Sequence, residues 1–156
     1  MPANVRGGQV ISLVEVTGGI GGKVDVAKLA DELGADIAVL LPILDAAEML
    51  GLVKSEKGEV CLTDFGQKFQ KISKNKVRAL KERLSSIEPF RAATEFAAKG
   101  KPFTAAQVAD ELTQMGLKWH FNPEINESLV HALLLHWSIT SELLAYDGKT
   151  GKFKKA

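Results

Sequence analysis

Apolar positions recur at helical spacing in a series of stretches, and glycine, proline and short polar residues separate them. Val10, Leu13 and Val14 share one face and predict a short helix over residues 9–16, ended by Gly18-Gly19. Asp25 is placed to cap the next helix, which Gly34 ends, and Asp36 to cap a third from Ile37 to Leu50, stopped by Gly51. Two strands, residues 52–56 and 59–62, are expected about a Lys57-Gly58 turn. Thr63 or Asp64 then caps a helix to about Ile72. Val77, Leu80, Leu84 and Ile87 predict a further helix from Lys74 to Ile87, broken by Pro89. Phe90–Lys99 continues as helix, Thr104 caps one ending near Gly116, and residues 117–123 form a loop. Glu124–Leu144 reads as the longest helix, before a final hairpin.

The order helix, turn, helix, hairpin occurs twice. Ala-Asp-Glu-Leu stands at 30–33 and again at 109–112, and a glycine-turned hairpin follows each time, at Gly58 and at Gly151. The two copies are offset by 79 residues at the tetrapeptide and 93 at the hairpin. The expected fold is therefore mainly α, a tandem winged helix joined by a basic helix. Its parts are a first unit at 1–73, a connector at 74–101 and a second winged-helix-like unit at 102–156. Leu29, Leu33, Leu40, Leu44, Leu50, Leu84, Leu112, Leu133 and Trp137 are the expected core.

Composition narrows the function. With 46% hydrophobic and 25% charged residues, the 156-residue chain can bury a sizeable core. Aromatic residues, at 6%, are too sparse for a base-stacking surface. The single cysteine, Cys61, excludes an internal disulfide, and no apolar run reaches the roughly 18 residues of a membrane span, so a cytoplasmic protein without membrane insertion is expected. Net charge is +1, but it is unevenly spread: residues 74–101 hold 8 basic and 3 acidic side chains, and the flanking segments are net acidic.

Chemistry-bearing motifs are scarce. Thr17-Gly-Gly-Ile-Gly-Gly-Lys23-Val24 has threonine and valine where a phosphate-binding loop needs glycine and a magnesium-holding hydroxyl. His131 and His136 are five residues apart and diverge by roughly 140° around a helix, too far to share a metal. Cys61 has no neighbouring histidine, and no catalytic triad order is present. Neither enzyme activity nor a cofactor or metal is expected.

The third helix of a winged helix reads bases with Arg, Lys, Asn, Gln or Ser. Here it runs Asp36-Ile-Ala-Val-Leu-Leu-Pro-Ile-Leu-Asp45, with no donor and two negative charges. Its counterpart opens Glu124-Ile-Asn-Glu127, where only Asn126 and Ser128 could reach a base. Nucleic acid is thus disfavoured, though Lys74, Arg78 and Lys81, at helical spacing, together with Lys54 and Lys57 of the first hairpin, are candidates to meet phosphates or an acidic partner. Ile125, Leu129, Leu133 and Trp137 belong to a helix apolar all round, a candidate protein interface and the basis for expecting a homodimer.

Leu29-Ala-Asp-Glu-Leu-Gly34, Leu40-Leu-Pro-Ile-Leu44, Ala47-Glu-Met-Leu-Gly-Leu-Val53, Leu62-Thr-Asp-Phe-Gly66 and Leu144-Ala-Tyr-Asp-Gly-Lys-Thr-Gly151 together resemble the AAA-associated C-terminal domain. That domain follows the ATP-binding subunit of nitrate-, sulfonate- and taurine-type ABC transporters, and the resemblance spans roughly residues 8–155. It implies a regulatory or interaction module of a transporter ATPase; because the chain carries no ATP-binding motif of its own, the module either meets its ATPase in trans or has acquired a separate role. It carries over no catalytic residue. A winged-helix transcriptional regulator is the alternative.

Overall fold

In the computed structural model, which describes all 156 residues, the expected capping residues stand where helices begin, although Asp36 makes no side-chain cap hydrogen bond. Asp25 Oδ1 accepts from the N–H groups of Ala27 and Lys28, and Thr104 and Gln107 form a reciprocal capping box. The chain is mainly helical, with eight α-helices and two small antiparallel sheets. It divides into two units, Pro2–Lys76 and Val77–Ala156 with Met1, which are described separately.

The first unit runs α1 (Gly7–Gly19), β1 (Lys23–Asp25), α2 (Val26–Leu33), α3 (Ile37–Met49), β2 (Val53–Glu56), β3 (Glu59–Leu62) and α4 (Asp64–Gln70). Helix α1 is longer than expected at both ends, and Thr17 and the following glycines lie inside it. Thr17 is fully buried and donates to the Leu13 carbonyl at 2.7 Å, so its hydroxyl is held inside the helix, and Gly21 and Gly22, at positive φ, turn the chain into β1. α1 packs against α2, α3 and α4, burying Val10, Leu13 and Val14 with Leu29, Leu40, Leu44 and Phe69. The sheet has the order β1-β3-β2, and β1, at three residues, is too short to leave an alternating pattern in the sequence. Lys57 and Gly58 both have positive φ (52° and 78°), as a two-residue hairpin turn requires. Leu33 is only half-buried, because it sits in the last turn of a short helix.

The second unit begins with a 3₁₀ turn (Arg78–Leu80) and continues as α5 (Lys81–Leu84), α6 (Phe90–Ala98), α7 (Ala105–Gln114), α8 (Pro123–Leu133), a π-helical segment (Leu134–Ser138), β4 (Leu144–Asp147) and β5 (Lys152–Lys155). The long final helix ends at Thr140, and Leu144 is already in a strand. Its wide π turn lets Val130, Leu133, Leu134 and Trp137 all face the core, where Trp137 packs on Phe90 with ring centroids 6.5 Å apart. Phe103 and Phe153 exchange two backbone hydrogen bonds, of 2.9 and 2.7 Å. They occupy the places of Val24 and Val60, which pair β1 with β3, at the same offsets of 79 and 93 residues. The repeat in the sequence is thus a repeat of backbone pairing as well.

The expected basic helix from Lys74 to Ile87 does not form. Residues 71–77 are turns and irregular chain, Asn75 has φ 53°, and helical structure starts only at Arg78. Ser73 and Asn75 favour turns over helix interiors. Lys76 is drawn back onto the first unit instead: its ammonium donates to Glu15 at 2.8 Å and to the Gln70 carbonyl at 3.2 Å.

Candidate interaction surface

Helix α3 carries the surface that decides the chemistry. Leu40, Ile43, Leu44, Ala46, Ala47 and Leu50 take its buried face. Ile37, Val39, Leu41 and Met49 are left 48, 53, 46 and 47% exposed, with Ile37 and Leu41, four residues apart, on one face and Val39 on the opposite side. Asp45 and Glu48 lie on the side of Ile37 and Leu41 and Asp36 at the N-cap, all exposed, and Glu48 accepts a hydrogen bond from the Ser55 hydroxyl. No cationic side chain lies on this helix.

Lys74 belongs to the first unit and Arg78 and Lys81 to the second, and the i, i+4, i+7 alignment needs a helix that is absent. Arg78 forms an ion pair with Glu142 at 3.2 Å, and Lys74 and Lys81 are exposed. On the first hairpin Lys54 and Lys57 are exposed beside Glu56 and Glu59, which face each other across β2 and β3. Lys23 pairs with Glu59 at 3.0 Å, and that hydrogen bond raises the lysine's pKa. The hairpin is therefore mixed in charge.

In the second unit, Leu133 and Trp137 are core residues with no surface for a partner; Leu129 is half-buried and Ile125 exposed. Asn126, a base-contact candidate by sequence, is buried. Its Oδ1 accepts from the N–H groups of Trp119 (2.7 Å) and His120 (3.3 Å), at the helix position where α3 has Leu40. Ser128 donates to the Glu124 carbonyl. His131 packs edge-on against Tyr146 and Phe153, both at 5.4 Å. The residues that sequence reasoning passed over are Met115, Leu117 and Phe121, in and beside the 117–122 loop, all exposed. A loop has no helical or strand period by which its exposed Phe121 could be told from its anchored Trp119.

The family motifs have visible structural work. Thr63 Oγ1 accepts from the Gly66 N–H at 3.0 Å and lies 2.5 Å from the Gly51 carbonyl oxygen, to which it donates. This ties the start of α4 to the end of α3. Asp147 Oδ1 accepts from the Lys149 N–H at 2.9 Å, which holds the Asp147 carboxyl below its ordinary value.

The fold is that of a mainly helical protein with two small antiparallel sheets. The family model for the C-terminal AAA-associated domain matches residues 27–147, and the chain belongs to that family. No curated protein and no solved structure matches it. No helix is long and apolar enough to cross a membrane.

Proposed function

We propose that this chain is a non-enzymatic interaction and regulatory module of two winged-helix units that docks on the ATPase of an ABC transporter. The observation that supports it most is the exposed face of α3, apolar at Ile37 and Leu41 and acidic at Asp45 and Glu48, in the place where a DNA-binding winged helix presents donors. Apolar centres with polar rims suit protein partners. Family membership supplies the ATPase context. Titrating the chain into the ATP-binding subunit of a nitrate-, sulfonate- or taurine-type transporter, followed by calorimetry, tests the reading. Binding in the micromolar range, weakened by Ile37→Ser with Leu41→Ser, is expected; no heat at high micromolar concentration overturns it.

The DNA-binding alternative has one observation in its favour, the exposed Lys54 and Lys57 of the first hairpin. Duplex titration at several salt concentrations decides it. Tight binding with a steep salt slope would reverse the order of the two readings.

A further inference from the structure

The loop between α7 and α8 is built rigidly yet holds an aromatic ring in water. Leu117 N–H donates to the Leu112 carbonyl at 2.8 Å, Trp119 and His120 N–H groups converge on Asn126, and Asn122 N–H donates to His120 Nδ1 at 3.0 Å. Trp119 Nε1 anchors the loop further by donating to the Met1 carbonyl at 2.8 Å. Between these fixed points Phe121 is 81% exposed and stacks on His120, centroids 4.5 Å apart. Met115, Leu117 and Ile125 are exposed on the neighbouring positions. An ordered loop that keeps phenylalanine in solvent gains nothing for folding, but it removes the ordering cost of a contact.

Beside the ring lies a cleft of about 360 Å³ lined by the carboxylates of Asp110, Glu124 and Glu127 against one cation, Lys118. No ion pair engages those carboxylates. An acidic cleft next to an exposed aromatic repels nucleic acid and anionic lipid, and attracts a guanidinium or ammonium that carries apolar neighbours.

We infer that the α7–loop–α8 surface docks a basic segment of another protein, with an arginine or lysine in the acidic cleft and an apolar side chain on Phe121. This deepens the interaction-module reading and rests on it, but not on the ATPase being the partner. The probe is a labelled eight-residue peptide of alternating arginine and leucine, followed by anisotropy and by amide chemical-shift mapping on the full chain. Its binding should move signals of residues 109–127. Phe121→Ser, and separately the triple change Asp110→Asn, Glu124→Gln, Glu127→Gln, should each weaken it about tenfold. The matching glutamate–leucine peptide should not bind. Absence of binding by the arginine peptide, shifts mapping elsewhere, or affinity unchanged in both variants overturns the assignment; so does Phe121-dependent self-association without peptide, which would make a second copy the occupant. Peptide binding that persists where no ATPase complex forms supports this surface and removes only the ATPase as partner. An ATPase complex that forms while the peptide fails overturns this surface alone.

Discussion

At the scale of single residues, two positions carry more than their composition suggests. A Cβ added to Gly66 would lie 2.0 Å from the Leu52 backbone oxygen, which cannot swing aside as a side chain could. The glycine is needed because Thr63 pulls the first turn of α4 hard against the end of α3. Gly66→Ala should destabilise the first unit by about 2–4 kcal/mol, measured by urea unfolding; a change within experimental error would mean the turn relaxes freely. Asp147 makes a prediction about acid. Its folded pKa is depressed below 3.8, first by the Lys149 N–H, so the hairpin gains from the carboxylate above that value and loses the gain as pH falls through the folded pKa. The Lys149 amide shift should therefore titrate with a midpoint below 3.8, and Asp147→Asn should abolish the titration.

At the scale of elements, α3 separates packing from function. Leu40→Ala removes a fully buried side chain and should cost about 2–5 kcal/mol. Ile37→Ser and Leu41→Ser, both on the exposed face, should each change stability by about 0.5 kcal/mol or less while weakening a complex. A large loss of stability in the serine variants would show that this face is covered in the folded chain and would remove it as a docking surface. Thermal unfolding of the three variants side by side makes the comparison. The capping box of α7 gives a milder test: Thr104→Ala should cost about 1 kcal/mol, because the Gln107 N–H loses its acceptor.

At the scale of the molecule, self-association depends on how much apolar surface the long final helix has to spare. Val130, Leu133, Leu134 and Trp137 are spent inside the second unit, leaving Ile125 and Ile139 exposed and Leu129 half-buried. That remainder is small beside the roughly 1,200–2,000 Å² that a stable interface buries. Sedimentation equilibrium at high micromolar concentration decides the homodimer expectation: a dimer weakened by Ile125→Ser supports a self-interface on this helix, and the 16.8 kDa monomer removes it.

What the sequence determined by itself was local and periodic. Asp25, Thr63 and Thr104 cap helices because their side chains reach backbone donors within three residues, and Lys57-Gly58 turns a hairpin because both residues accept positive φ. The repeated Ala-Asp-Glu-Leu and the motifs from Leu29 to Gly151 were enough to place the chain in its family, since such motifs are read position by position. The tertiary structure decided whatever depends on distant partners. Apolar spacing alone makes Lys74–Ile87 a helix, whereas Lys76 binds Glu15, 61 residues away, and the chain turns. Ile125 and Trp137 look alike on a helical pattern, yet one is exposed and the other sealed against Phe90. Phe121 sits in solvent only because Asn126, five residues on, fixes the loop beneath it from inside the core. Periodicity reports which residues share a face of one element; which faces find a neighbour is settled when the elements pack.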